Sequence, residues 1–275
     1  MLIYEKAYAK INLALAVGEE KEGYHEVQNV MVPIQLYDEL FFQKSKEIQI
    51  DCEAIPLKEN ICYRAALLFK EKFQIDEGVS IILNKNIPIM AGLGGGSSDA
   101  AAVLRGLNRL FEVNASKETL YELAVQLGSD VPFFLYNKGA LCSGRGELVC
   151  PLDFDLPHFS LLLIKPKFGF STKEIYQKYV FDGVFKGVWI KRLLDALKNN
   201  DLDAIEQNIF NDLEKTALNH SPELKAIFER IEGLSYHPHI SGSGPTIYVL
   251  DAKSIDLENV KAVLKDVDLY LLSTL

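Results

Sequence analysis

The stretch Gly-Leu-Gly-Gly-Gly-Ser-Ser at 92–98 constrains the fold of this chain more than any other part of its sequence. Four of its first five residues are glycines, which lose the most conformational entropy on folding, so a stable fold retains them only where the backbone must approach something closely. Apolar residues follow at helical spacing, at Ala100, Val103, Leu104, Leu107 and Phe111. The segment therefore predicts a loop that opens into a helix N-terminus, where backbone N–H groups and the helix dipole favour an anion such as phosphate.

The glycines do not match the two best-known nucleotide-binding loops. No lysine follows them, as G-x-x-x-x-G-K-[ST] requires, and Ser97 stands where G-x-G-x-x-G requires its last glycine. The hydroxyls of Ser97 and Ser98 can nevertheless donate to phosphate oxygens. The alternative interpretation is a tight loop that the serines cap and that packs closely against a neighbouring segment.

Strand-like and helix-like segments alternate along the chain, which is typical of an α/β or α+β protein. A strand is predicted from Ala9 to Val17, and its two-residue period places Lys10 and Asn12 side by side on one face. A polar loop is predicted at 18–25. Further extended segments are predicted at 27–34, 39–42, 47–51, 79–83 and 161–164, and helices at 60–73, capped by Asn60, at 117–127, after Ser116, and through much of 172–232.

The composition narrows the class of protein. The 275 residues carry a formal net charge of -9, which argues against general binding of nucleic acid, because that requires a basic surface. No uncharged apolar stretch is long enough to predict a membrane span. The four cysteines include no C-x-x-C pair, so a zinc site is not expected. We expect reduced thiols in a cytoplasmic protein instead.

Six segments, in order along the chain, resemble the motifs of one enzyme family, the GHMP kinases. The glycine loop with its flanks, Pro-Ile-Met-Ala-Gly-Leu-Gly-Gly-Gly-Ser-Ser-Asp-Ala-Ala, is similar to the phosphate-binding loop of that family. The other five are Ala9-Lys-Ile-Asn-Leu, Gly23-Tyr-His, Leu127-Gly-Ser-Asp-Val-Pro-Phe-Phe, Ser143-Gly-Arg-Gly-Glu and Ser241-Gly-Ser-Gly-Pro-Thr. Together they are most similar to the members that act on a cytidine diphosphate ester of methylerythritol.

The resemblance implies an α+β fold in two domains. Residues 1–155 are then an N-terminal, ATP-binding domain resembling the ribosomal protein S5 domain 2-like fold, and residues 156–275 a ferredoxin-like C-terminal domain. The implied activity is an ATP-dependent kinase of non-mevalonate isoprenoid precursor synthesis, acting on the 2-hydroxyl of the cytidine ester. Mg²⁺ would arrive bound to the nucleotide, with no other metal site, and the protein would be a monomer or a homodimer.

The same resemblance assigns candidate site residues. Catalysis falls to Asp130 as the base and to Lys10 beside it; otherwise Asp130 could simply cap a helix, and Lys10 could be a solvated strand lysine. The candidate ATP-binding residues are Pro88, Ile89, Met90, Ala91, Gly92, Leu93, Gly94, Gly95, Gly96, Ser97, Ser98 and Asn60, the last of which could equally be only a helix cap. The candidate acceptor-binding residues are Asn12, Tyr24, His25, Thr172 and Tyr176, where the two tyrosines could equally fill the core.

Two other functions remain open at this point. The chain could be a different GHMP kinase, such as homoserine kinase, although Gly23-Tyr-His favours a cytidine ester as acceptor. It could also be a nucleotide-binding regulator without catalytic activity, although the presence of both Lys10 and Asp130 argues against that.

Overall fold

Two β-sheets form the framework of the chain in the computed structural model, which describes residues 1–21, 23–251 and 254–275. The strands are β1 (Ile3–Lys21), β2 (Tyr24–Ser45), β3 (Gln49–Asp51), β4 (Gly78–Asn84), β5 (Ala140–Ser143), β6 (Leu148–Pro151), β7 (Ser160–Pro166), β8 (Phe210–Asn211), β9 (His239–Ile240), β10 (Ile247–Leu250) and β11 (Val267–Ser273). The first sheet has the order β3-β4-β2-β1-β8, with β5 paired to β2 and β6 to β5. The second has the order β11-β7-β10-β9.

Helices cover these sheets. They are α1 (Ile61–Phe73), α2 (Gly95–Leu110), α3 (Lys117–Leu127), α4 (Thr172–Lys178), α5 (Ile190–Lys198), α6 (Leu202–Asn208), α7 (Glu214–His220), α8 (Pro222–Gly233) and α9 (Leu257–Val263), with short 3-10 helices at Leu57–Glu59, Pro132–Leu135 and Lys186–Trp189. Within the described part of the chain, none of them combines the length and the apolar character that crossing a bilayer requires.

The second sheet has the topology of a ferredoxin-like domain. Numbered within that half, its strands lie in the order 4-1-3-2, and every neighbouring pair is antiparallel. Helices connect β7 to β9 and β10 to β11, as the two crossovers of that fold require. The α+β class and the ferredoxin-like second half are therefore confirmed.

The predicted loop at 18–25 was wrong, whereas the segments predicted as extended at 27–34 and 39–42 both lie on β2. β1 and β2, of 19 and 22 residues, pair with each other as far as Lys21 and Tyr24. Polar residues such as Glu20 and His25 resemble a loop in the sequence, but they pair with each other on β1 and β2. The pairing of the two strands keeps this polar segment extended, and no local pattern shows that pairing.

The helices agree with the prediction closely. The side chain of Asn60 accepts a hydrogen bond of 2.9 Å from the backbone N–H of Cys62, and α1 ends at Phe73. The side chain of Ser116 caps α3, which ends at Leu127 before Gly128. Local signals sufficed here because caps and helical periodicity act within a few residues.

The hydrophobic core joins the two halves of the chain. One cluster lies between the first sheet and α1, α2 and α3, and another fills the second half. A third combines residues of β1 and β2, such as Ile11 and Val32, with residues of β7, α5 and β10, such as Leu161, Leu193 and Tyr248. The proposed boundary at 155/156 falls between β6 and β7.

Candidate active site

A buried chain of polar side chains begins at Lys10 on β1. Its ammonium donates to Asn12 Oδ1 at 2.6 Å, and the Nδ2 of Asn12 donates to Asn29 Oδ1 at 2.8 Å. Lys10 is 4% exposed, and burial lowers its pKa despite the nearby charge of Asp130. Lys10 and Asn12 do share a face, as predicted, and Lys10 is not a solvated lysine.

Asp130 lies opposite this lysine. Its Oδ2 is 3.9 Å from the Nζ of Lys10, and its side chain is 36% exposed. It follows α3 and precedes the 3-10 helix Pro132–Leu135, whose cap, Val131, makes no side-chain cap hydrogen bond. Asp130 therefore does not cap this helix, and its carboxylate faces the cleft beside a buried cation.

The glycine loop requires glycine at two of its positions for steric reasons. Gly92 has φ +75°, and a Cβ there would lie 2.3 Å from the carbonyl oxygen of Ser241. Gly94 has φ +72°, and a Cβ there would lie 2.6 Å from the ring of Phe134 and 3.2 Å from Lys10 Cγ. The loop thus packs against Lys10, while α2 begins at Gly95, and the first residues of this helix, where backbone N–H groups lack partners within the helix, line the cleft.

A cleft of about 1270 Å³ connects the loop with Lys10 and Asp130. All the candidate residues named from the sequence line it except two, Ser98 and Asn60. Ser98 is buried just behind the loop, and its hydroxyl has no hydrogen-bond partner among the described residues. Asn60 is also buried and caps α1, while its neighbours Glu59 and Ile61 line the cleft.

Aromatic residues gather at the other end of the cleft. Tyr24 and His25 lie on the first residues of β2 rather than in a loop. The ring centroids of His25 and Tyr176 are 5.8 Å apart, and His25 Nδ1 lies 2.8 Å from the carbonyl oxygen of Gly18. Tyr24 is 57% exposed, and the guanidinium of Arg145 lies 4.8 Å above its ring. An exposed ring of this kind offers a stacking surface to a ligand.

The last two candidates for the acceptor site, Thr172 and Tyr176, both lie on α4. The hydroxyl of Thr172 lies 3.0 Å from the hydroxyl of Ser243. Burial, together with the charge of Asp130, raises the pKa of Tyr176, so its hydroxyl stays protonated and able to donate a hydrogen bond. Both residues line the cleft that Asp130 faces.

Sequence reasoning missed several residues of the site. The Ser241 hydroxyl donates to Gly92 O at 3.1 Å, and a Cβ on Gly242 would lie 3.2 Å from Lys10 Nζ, so the loop after β9 closes over the lysine. Asn29, Lys85 and Arg145 were not assigned either. The motifs around Gly242 and Arg145 were visible in the sequence, but nothing local indicated what they contact.

No group of three or more histidine, cysteine, aspartate or glutamate side chains among the described residues is arranged to hold a metal ion. His239 instead lies 3.2 Å from Glu206, and His237 is exposed. All four cysteines, Cys52, Cys62, Cys142 and Cys150, are free thiols.

Comparisons with known proteins match this chain to kinases in both halves of its length. The family models for the GHMP kinases N terminal domain and the GHMP kinases C terminal domain match residues 60–138 and 193–267. A 4-diphosphocytidyl-2-C-methyl-D-erythritol kinase of Clostridium perfringens is 42% identical over 250 residues, which cover 88% of this chain and 86% of that protein.

Solved structures agree in fold. A crystal structure of a 4-(cytidine 5'-diphospho)-2C-methyl-D-erythritol kinase superposes with a TM-score of 0.83 at 32% identity, over 99% of each chain. A homoserine kinase from Cytophaga hutchinsonii superposes with a TM-score of 0.72 at 17% identity, over 98% of this chain and 95% of that chain. The second similarity is informative about the fold alone.

Proposed function

The chain belongs to the GHMP kinase family, among the 4-diphosphocytidyl-2-C-methyl-D-erythritol kinases, and from this premise we propose that it transfers the γ-phosphate of ATP to the 2-hydroxyl of 4-diphosphocytidyl-2-C-methyl-D-erythritol. This reaction belongs to non-mevalonate isoprenoid precursor synthesis. The other two candidates, a different GHMP kinase and a silent regulator, are less well supported, because the extensive sequence similarity is to kinases of the cytidine ester.

The observation that carries this proposal is the position of Lys10 and Asp130. The two charged groups, 3.9 Å apart, lie in the cleft between the glycine loop and the aromatic end. An acceptor whose base lies against Tyr24 and His25 can therefore extend its hydroxyl toward the pair. ATP held by the loop presents its γ-phosphate from the other side.

The chemistry requires positioning and charge more than covalent work by the protein. Asp130 accepts the proton of the acceptor's 2-hydroxyl. At the same time the oxygen of that hydroxyl forms a bond to the γ-phosphorus of ATP, and the bond between this phosphorus and the oxygen that leaves with ADP breaks. Lys10 stabilises negative charge on the transferring group, which is worth most where water is excluded. Asn12 keeps the ammonium in place through its 2.6 Å hydrogen bond.

The acceptor's cytosine is assigned to the aromatic end. Tyr24 supplies a stacking face, His25 supplies polar ring atoms for the base edge, and Tyr176 supplies a second ring beside His25. Thr172 lies beside Ser243 at the cleft and can bond the remainder of the acceptor.

Magnesium is proposed as the nucleotide's own ion. The described residues contain no cage of three acidic, histidine or cysteine ligands. That fits an ion held mainly by phosphate oxygens and water, as Mg²⁺ prefers in kinases. It would neutralise phosphate charge during transfer. We also propose that the protein acts in the cytoplasm, as a monomer or a homodimer, and binds no nucleic acid.

The test is ATP turnover in a coupled assay with four acceptors: the cytidine ester of methylerythritol, homoserine, mevalonate and galactose. Turnover on the cytidine ester alone, lost on adding a chelator and restored by Mg²⁺, is the expected result. Turnover on homoserine instead would support another GHMP kinase. ATP binding in calorimetry with no turnover on any acceptor would support the silent regulator.

A further inference from the structure

Three buried charged side chains form an ion cluster behind the glycine loop. The Nζ of Lys85 lies 2.5 Å from Asp38 Oδ2 and 2.6 Å from Asp99 Oδ2. Asp38 and Asp99 are 0% and 1% exposed, and the side chain of Lys85 is 9% exposed. Buried charges are costly unless they are paired, so an arrangement of two carboxylates around one lysine calls for an explanation.

The partners of Lys85 lie on the two sides of the glycine loop. Asp38 Oδ1 accepts hydrogen bonds from the backbone N–H groups of Asn86 and Ile87, at 2.5 and 2.8 Å, just before the loop. Asp99 lies in the second turn of α2, just after it. Lys85 therefore ties the entry of the loop to its exit.

Lys85 also touches the loop itself. A Cβ on Gly95 would lie 3.4 Å from its Nζ, and the lysine lines the cleft. Two of the three ammonium protons are donated to Asp38 and Asp99, which leaves the third free for the side of the loop. Without Lys85, the buried carboxyl of Asp38 would lose its ion-pair partner, and the entry of the loop would no longer be tied to its exit.

We propose that Asp38, Lys85 and Asp99 act as a clamp that holds the glycine loop in its phosphate-binding shape, which makes Lys85 a positioning residue for the nucleotide. The inference rests on the proposed function only in taking this loop as the nucleotide site. A clamp of this kind does more than stabilise the fold. It sets the affinity for the nucleotide and leaves the affinity for the acceptor unchanged.

The first test compares Lys85→Met with Lys44→Met, which removes a half-exposed lysine on β2 that forms an ion pair with a surface carboxylate, Glu77. The dissociation constant of a non-hydrolysable ATP analogue should rise at least about tenfold in Lys85→Met, the loss expected when a buried charge loses its partner. The KM of the acceptor should change less than about twofold, as should every constant of Lys44→Met. A folded Lys85→Met protein with unaltered analogue affinity overturns the proposal, and so does a fall in kcat alone.

A second variant keeps the test decisive if Lys85→Met does not fold. Burial, partly offset by Lys85, raises the pKa of Asp99 to about 8, while Lys85 remains charged between its two carboxylates. The groups that face Asp99 are Lys85, Asp38 on β2 and the buried Cys62 thiol on α1, whose own pKa burial raises. Above that pH Asp99 adds negative charge beneath the loop, so affinity for the analogue should weaken.

Asp99→Asn retains an acceptor for Lys85 and removes this charge. The analogue's dissociation constant in the wild type should rise at least about threefold from pH 7 to pH 9, and the same ratio in the variant should stay closer to one. Equal ratios, together with an analogue affinity in Asp99→Asn that matches the wild type at both pH values, would overturn the clamp. Because the analogue requires no acceptor, an absence of turnover in the coupled assay would count against the proposed function and leave this result intact.

Discussion

At the scale of single residues, Lys10 stands out because its burial disfavours its charged form. Burial lowers its pKa, and Asp130 at 3.9 Å and the amide oxygen of Asn12 partly compensate. The compact ammonium at this position is therefore held in place by partners on the same strand and across the cleft. The pH dependence of kcat can report the protonation state of Lys10.

The role proposed for Lys10 requires its charged form, so activity should fall as pH rises through its lowered pKa. The alkaline limb of the kcat profile should lie below 10.5, the ordinary value for lysine. Lys10→Arg retains the charge at any accessible pH, so whatever activity it keeps should lose this limb. A limb at the same pH in both proteins would assign it to another group.

Asp130→Asn should lower kcat by about 10²- to 10⁴-fold, the range for loss of a positioned proton acceptor. The amide is nearly isosteric, so the thermal midpoint should stay close to that of the wild type. Steady-state kinetics with circular dichroism measure both. A folded variant with nearly normal kcat would remove Asp130 from the mechanism.

Tyr24→Ala should raise the KM of the cytidine ester by about 5- to 150-fold, since loss of one stacked base is worth about 1–3 kcal/mol. The KM of ATP should not change, because Tyr24 lies at the other end of the cleft from the glycine loop. Tyr24→Phe retains the ring and serves as the control. An unchanged acceptor KM in Tyr24→Ala would argue against the base site.

At the scale of elements, the glycine loop is shaped by contacts with a distant segment. Gly92 is packed against the carbonyl oxygens of Ser241 and Gly244, far along the chain. The helix bounds were predictable because caps and periodicity are local, as at Asn60 and Ser116. The ion cluster around Lys85 could not be predicted from the sequence. Its two carboxyl partners lie 47 and 14 residues away, and nothing near Lys85 in the sequence indicates a buried ion cluster.

The β1–β2 hairpin was underestimated for a related reason. Its pairing is fixed by register with three neighbouring strands, β4, β5 and β8, and by cores on both faces, none of which appears in a local pattern. The two residues on its shared polar face, Lys10 and Asn12, were predicted because that inference requires only the two-residue period of a strand.

Gly92→Ala should reduce both stability and ATP affinity. A left-handed φ costs an alanine roughly 1–2 kcal/mol, and its Cβ would in addition lie 2.3 Å from a backbone oxygen, which forces the loop to move. Gly183→Ala is the matched control, because Gly183 also has a left-handed φ, +89°, but a Cβ added there would meet no atom within 4 Å among the described residues. Urea unfolding and ATP kinetics should separate the two variants, and equal losses would show that the close approach does not matter.

At the scale of the whole molecule, the two halves share structure. The short strand β8 of the second half pairs with β1, and Tyr248 donates a hydrogen bond of 2.8 Å to the carbonyl oxygen of Asn12. Two core clusters take residues from both sheets. A boundary drawn between the halves therefore crosses a continuous hydrophobic interface rather than a flexible linker.

Because of this shared core, urea should unfold the protein in one transition. Fluorescence of the single tryptophan, Trp189, reports on the second half, and far-ultraviolet circular dichroism reports on the whole chain. Their midpoints should coincide. Two separated transitions would mean that the halves fold independently, and a fragment of residues 1–155 that folds alone would lead to the same conclusion.

The contact between Tyr248 and Asn12 can form only late in translation, after most of the chain has been made. The two residues are 236 positions apart, so at roughly 5–20 residues per second a ribosome takes about 10–50 s to make the second after the first. Once residue 98 has been made, the nascent chain carries its glycine loop, but the loop after β9 that closes over Lys10 follows only at residues 241–246. An unfinished chain therefore has no complete phosphate-transfer site. The site is complete only when the second half of the chain has been made.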